Sequence, residues 1–242
     1  MLIVNADDLG RRRDDTDSAL ACHARGRIDS ASAMVHMADS ERAAGLARAA
    51  RLPVGLHLNL SEPFTADVDP ALRASHARVC RFLRSSKYAL LLYQPFLAAD
   101  FARVVEAQFA EFRRLYGREP AHVDGHQHMH LCTNVLLQRL LPAGARVRRS
   151  FSFARGQKSA LNRWYRARVD RTLSRRHRLV DEFFSLTQQL KAGRLDAVAA
   201  RACEGDVELM THPAWPHEYD YLMGDAFATL LQRLRAAEPA AA

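Results

Sequence analysis

Leu2-Ile-Val-Asn-Ala-Asp-Asp-Leu-Gly10 opens as an aliphatic, β-branched run and turns polar within three residues. Leu2-Ile3-Val4 reads as a buried strand, and Asn5-Ala6-Asp7-Asp8 with Gly10 as a polar loop leaving its end. Short runs of the same kind recur at residues 30–35, 54–60, 122–124, 147–153, 181–186 and 207–210. Between them lie stretches of helical spacing and composition at residues 40–50, 101–116 and 133–141. Strands alternating with helices predict βα units and a parallel sheet. Seven such runs spread over the whole chain predict an α/β protein with a distorted or incomplete (β/α) TIM-like barrel. Gly117-Arg-Glu-Pro120 punctuates the approach to the fourth run, and no stretch is long enough to be an interdomain linker. The expected organisation is therefore a single domain over residues 1–237, with the Ala-Pro tail at 238–242 frayed.

The composition agrees. A chain of 242 residues suits one barrel-sized core, and 48% hydrophobic with 26% charged residues excludes a disordered, collagen-like or coiled-coil chain. The apolar stretch at 88–101 is broken by Gln94, Pro95 and Asp100, short of the ~18–20 apolar residues of a membrane helix. No basic flank precedes an apolar run at the N-terminus, so a cytoplasmic protein is expected. Cys22, Cys80, Cys132 and Cys203 show no CxxC spacing and read as reduced thiols. Lys plus Arg total 35 against 27 Asp plus Glu, a net charge of +8, with arginines dense over residues 146–178. That density reads first as a solvated helical face.

Metal-binding residue types cluster at strand ends, where parallel α/β proteins assemble their sites. Asp7 and Asp8 close the first run; one carboxylate could hold a metal while its neighbour acts on the bound water, or the pair could cap the next helix. In Val54-Gly-Leu-His-Leu-Asn-Leu60, His57 and Asn59 share one strand face with Gly55. His122-Val-Asp-Gly-His-Gln-His-Met-His130 is the most informative segment: Asp124, His126, His128 and His130 crowd one end, and at most two of the last three histidines reach one ion. Imidazole with carboxylate suits a borderline divalent ion such as Zn²⁺, and an open Asp-His-His site is the pattern of a catalytic centre. His212 before Pro213 is biased toward an extended backbone and is a candidate proton donor to a leaving amine.

These blocks, Asn5-Ala-Asp-Asp-Leu-Gly10, Gly55-Leu-His-Leu-Asn-Leu60, His122-Val-Asp-Gly-His-Gln-His-Met-His-Leu131 and Glu208-Leu-Met-Thr-His-Pro213, stand in the order found in the YdjC family of carbohydrate deacetylases, which the chain resembles over nearly its whole length. The resemblance implies a distorted (β/α) barrel with one divalent metal ion, zinc or magnesium, held by Asp8, His57 and His126. It implies that Asp7 is the catalytic base and that His212 assists the leaving group. The substrate class it implies is an N-acetylated sugar, oligosaccharide or glycolipid, cleaved to acetate and a free amino sugar. The insertion Arg11-Arg12-Arg13-Asp14-Asp15 departs from the family's pattern after Gly10. If Arg11 to Arg13 and the 146–178 arginines lined the mouth of the site, anionic substrates would be preferred. Two other readings compete: a metal-dependent phosphoesterase, which generally needs two metals and bridging carboxylates, and a nucleic-acid-binding module, for which no recognised motif accompanies the charge. No nucleic-acid partner is expected, and a homodimer is compatible with the sequence.

Overall fold

In a computed structural model of the chain, which describes residues 1–153 and 158–237, the strands are β1 (Leu2–Leu9), β2 (Ser30–Ala33), β3 (Val54–Leu58), β4 (Val123–Gly125), β5 (Glu182–Ser185) and β6 (Val207–Thr211). All neighbours pair parallel, in the order β4-β3-β2-β1-β6-β5, and the sheet curls into a half-barrel. The helices are α1 (Arg13–Ala24), α2 (Ser40–Ala49), α3 (Pro70–Arg84), α4 (Ala98–Tyr116), α5 (Thr133–Leu137), α6 (Ala160–Ser174), α7 (Leu186–Ala192), α8 (Leu195–Ala202), α9 (Pro216–Met223) and α10 (Asp225–Ala237). The predicted α/β barrel of incomplete type is the fold observed.

Local chemistry sets the element ends. Asp69 caps α3 by accepting a 3.0 Å bond from the Leu72 N–H, with Pro70 in the first turn. α4 stops at Gly117, whose φ of 66° is the left-handed cap that glycine adopts without a Cβ penalty. Phe101 and Phe112 of α4 and Phe227 of α10 are fully buried in the core shared with the aliphatic strand residues, each side chain stabilising the fold by about 1.5–3 kcal/mol.

Two expectations need correction. β1 does not end at Val4: it continues through Asp7 and Asp8 to Leu9. The run at 147–153 is not a regular strand. Its hydrogen bonds are divided among several neighbours, so no continuous ladder forms: the Arg148 N–H donates to Val123 O (2.9 Å), the Val147 N–H to Arg178 O (2.9 Å) and the Ser152 N–H to Phe183 O (2.9 Å). This irregular segment thereby bonds to both edge strands, β4 and β5. The tail at 238–242 and Arg155 lie outside the described residues. No helix among the described residues is long and apolar enough to cross a membrane. The four cysteines are free thiols, Cys203 exposed and the others buried.

Candidate active site

A cleft of about 480 Å³ lies at the C-terminal ends of the strands, lined by Asp7, Asp8, His57, His126, His212 and Trp215 among others. On a regular strand Asp7 and Asp8 would face opposite sides. The β1–β2 register shifts between Ala6 and Leu9, and Asp8 takes a φ of 69°, so both carboxylates reach the cleft. Aspartate is among the few residues that tolerate this left-handed conformation. β3 supplies His57 from its interior. β4 ends at Gly125, and the chain turns sharply after His126 through Gln127 and His128, with φ of 53° and 59°. Two glycines make room for the histidines beside them. A Cβ on Gly55 would stand 2.5 Å from His122, and one on Gly125 would stand 2.9 Å from His130.

Asp8, His57 and His126 converge. Asp8 Oδ1 is 2.9 Å from His126 Nδ1 and 3.3 Å from His57 Nε2, and all three residues are buried. His57 Nδ1 is 2.8 Å from Asp124 Oδ1, so its far nitrogen is anchored by a carboxylate, as in most metal-binding histidines. Burial opposes charge on His57, but the carboxylates of Asp124, Asp7 and Asp8 outweigh it and raise the imidazole to about 10. Burial likewise pushes Asp8 up, yet bonds from His126 and His57 bring it well below the usual carboxylate range. One carboxylate and two imidazoles within ligand distance of one another, with an anchored histidine, fit a single divalent cation.

A second group of donors, Asp7, His57 and Asp124, is equally close-set. A cation of the chain itself fills it. Arg148, 2% exposed, donates from Nη1 to Asp7 Oδ2 (2.6 Å), from Nη2 to Asp7 Oδ1 (2.6 Å) and from Nε to Glu208 Oε1 (2.7 Å), and its Nη2 forms an ion pair with Asp124 Oδ2 at 2.6 Å. Its guanidinium stands 4.9 Å from the Phe183 ring centre. Asp124 is pulled down strongly despite burial, by Arg148 and His57. Glu208 is raised by burial, against the pull of Arg148. Of the three carboxylates on Arg148, only Asp7 lines the cleft. Asp7 Oδ1 also accepts from Asn5 Nδ2 (2.9 Å), whereas among the described residues Oδ2 accepts from Arg148 alone and stands 4.0 Å from His57 Nε2. With two lone-pair directions per oxygen, Oδ2 keeps one free.

Residues 1–233 match the family profile described as YdjC-like protein. The chain belongs to this family. Among its relatives, carbohydrate deacetylase of Homo sapiens is 33% identical over 250 residues, covering 89% of this chain and 75% of the relative. Chitooligosaccharide deacetylase of Enterobacter sp. (strain 638) is 30% identical over 223 residues, covering 89% and 82%. A crystal structure from Enterococcus faecalis V583, named for cellobiose-phosphate cleavage, superposes with a TM-score of 0.65 at 20% identity over 96% of this chain and 94% of that one, a likeness of fold.

In this YdjC-like chain the remaining histidines divide. His212 lines the cleft, its ring stacked on Trp215 at 4.2 Å and its Nδ1 without a hydrogen-bond partner among the described residues; its backbone N–H donates to Glu218. His128 also lines the cleft, edge-on to Phe151 and Phe183. His130 turns away and bonds Arg148 O at 3.0 Å, and His122 bonds Ser32 Oγ at 2.9 Å. Asn59, on the same strand face as His57 by sequence, instead organises the following loop by accepting from the Ser61 and Glu62 N–H groups. That loop brings Glu62 Oε2 within 3.1 Å of His126 Nε2, a contact that sequence reading missed.

A cationic mouth built from these arginines is absent among the described residues. Arg11 lines the cleft, but its charge is matched by Glu62 at 2.9 Å and Asp8 at 3.4 Å, while Arg12 and Arg13 are exposed outside it. Arg148 lies buried beneath Asp7, and no described arginine of 146–178 lines the cleft.

Proposed function

We propose that this chain is a metal-dependent hydrolase that removes the N-acetyl group from an acetamido sugar or glycoconjugate, releasing acetate and a free amine. The observation that carries the reading is the buried Asp8–His57–His126 triad opening on the same cleft as the partly free Asp7 carboxylate and His212. The names of the carbohydrate and chitooligosaccharide deacetylase relatives supply the substrate class. Asp8, His57 and His126 would hold one divalent ion, and two imidazoles with one carboxylate favour Zn²⁺ over Mg²⁺. Such an ion supplies Lewis acidity toward a carbonyl oxygen and acidifies a water.

The chain's own groups do the rest. Asp7 Oδ2 takes a proton from the attacking water through its free lone pair, and Arg148 holds that carboxylate in one orientation. The water oxygen bonds to the acetyl carbon, the carbon–nitrogen bond breaks, and His212 delivers a proton to the departing nitrogen. Trp215, Phe151 and Met210 give the cleft apolar walls for a sugar ring. The phosphoesterase reading would need a second metal, and Arg148 stands among the donors that would hold it.

Loading the protein with Zn²⁺ and supplying N-acetylated chitooligosaccharides should release acetate and primary amine in equal amounts. Asp8→Ala, His57→Ala and His126→Ala should each lose bound metal by mass spectrometry, and wild-type metal content should be one ion per chain. Full occupancy in any one variant removes that residue from the ligand set, and two ions per chain with phosphate-ester cleavage and no acetate would overturn the reading.

A further inference from the structure

A second cavity of about 480 Å³ lies between α5 and the C-terminal end of α6, and it shares no lining residue with the active-site cleft. Its floor is apolar, with Val135, Leu141 and Leu173 buried. Its walls carry Arg139, Arg175, Arg176 and His177, and no carboxylate lines it. Elsewhere in the fold Arg11, Arg42, Arg78, Arg114, Arg148 and Arg149 each stand within 4 Å of an acid. Among the described residues Arg139, Arg175 and Arg176 make no such pair. Among the described residues His177 Nδ1 is buried without a hydrogen-bond partner.

The backbone around this cavity is held in place. The Gly144 N–H donates to Arg176 O at 2.7 Å and the Arg178 N–H to Ala145 O at 3.0 Å, which ties the loop after α5 to the turn after α6. Arg139 is kept at a φ of 56°, in the left-handed region that an arginine rarely adopts. Three guanidiniums without acidic partners around one concavity raise the local anion concentration. A single carboxylate offers one fork's worth of acceptors, whereas a phosphate offers three oxygens and two charges. Above an apolar floor, the ligand class that satisfies both features is a phosphate monoester with an apolar body.

We propose that this cavity is a binding site for a small phosphorylated organic molecule, separate from the active-site cleft, with the phosphate on Arg139, Arg175 and Arg176 and the apolar body on Leu141 and Leu173. It accounts for arginines of the 146–178 segment that take no part in the cleft.

Isothermal titration calorimetry of the full chain with phenyl phosphate, inorganic phosphate and phenol tests the proposal. Phenyl phosphate should bind at least ~10-fold more tightly than inorganic phosphate, because only it covers the apolar floor, and phenol should give no measurable binding. Arg175→Ala and Arg176→Ala should each weaken phenyl phosphate ~10-fold or more, while Arg175→Lys should retain part of the affinity. Arg175 is exposed and neither arginine side chain pairs with an acid among the described residues, so circular dichroism should show unchanged helix content. The proposal is overturned by no binding of phenyl phosphate up to ~10 mM, by binding that the arginine variants leave unchanged, or by inorganic phosphate binding as well as the ester. Binding of a single-stranded oligonucleotide in preference to phenyl phosphate would also overturn it, since that would make the arginines a backbone-tracking surface rather than a small-molecule cavity.

Discussion

Asp8, His57 and His126 on one side, and Asp7, His57 and Asp124 on the other, are two sets of buried donors that share an imidazole and differ in what stands between them. Between the second set lies the Arg148 guanidinium, which is also bonded to Glu208. In the first set both imidazoles stand on Asp8 Oδ1, and Arg11 stands 3.4 Å from Oδ2. Close-set acids and histidines are therefore not enough to define a metal centre. A chain that supplies its own cation turns one cluster into a rigid support. The other cluster could hold a cation from solution. His57 joins the two, with Asp124 fixing the ring whose other nitrogen faces Asp8.

Breaking the support should have the largest effect. Arg148→Met leaves Asp7, Asp124 and Glu208 without their shared cation in a fully buried position. Removing one side of such a network costs about 3–5 kcal/mol. Urea unfolding should show a loss in that range, and a loss below ~1 kcal/mol would mean the clamp contributes little to the fold.

A paired comparison then separates support from chemistry. Asp7→Asn and Glu208→Gln each alter one acceptor of Arg148, but only Asp7 faces the cleft. Asp7→Asn should retain metal and lose ~10²–10⁴-fold in kcat, the usual worth of a positioned base. Glu208→Gln should stay within ~10-fold of wild type, because burial already draws Glu208 toward its neutral form. Equal losses in the two variants would assign the effect to the clamp and remove Asp7 as the base.

On the far wall, His212→Gln should lower kcat by ~10²-fold with metal content unchanged. Unchanged turnover on substrates with a poor amine leaving group would strike His212 from the mechanism.

The smallest effect concerns stability in mild acid. His76, stacked on Phe64 at 3.7 Å and bonded to Asn59 O, is pushed down to about 4 by burial, and His122 and His130 likewise. For such groups the unfolded chain binds protons that the folded chain does not. Their neutral forms therefore cost nothing above the ordinary histidine range near ~6.5, and stability falls as pH drops from there toward 4. Metal-free protein should show this slope in urea midpoints between those limits. His76→Gln should make it shallower, and an unchanged slope would show that His76 is not among its sources.

How much of this was legible beforehand depends on where the information sits. The barrel class followed from the alternation of short strands with helices, and Asp7, Asp8, His57, His126 and His212 stood out as polar residues at strand ends. All five line one cleft. Arg148 gave no such signal, since it lies in a run of arginines where any one of them reads as solvated. Its position depends on the irregular segment bonding to both β4 and β5, which has no period of its own. Glu62 was hidden for a similar reason. It comes to His126 through a loop ordered by Asn59, and loop geometry of that kind is carried by specific hydrogen bonds rather than by a pattern. The bulge that turns Asp8 inward was equally unreadable, because the run Asn5 to Leu9 looks like a loop and folds as strand.

The place of β1 in the sheet has a bearing on how the molecule is assembled. Leu2 pairs with Val207 and Ala6 with Thr211, so the strand carrying Asp7 and Asp8 gains its second neighbour only from the far end of the chain. Contacts of such long sequence separation form slowly, because a large loop must close before they are rewarded. Until then β1 presents an open edge toward any other extended chain. Both aspartates thus wait on β6, and the folding step that completes the sheet is the one that completes the surroundings of the active site.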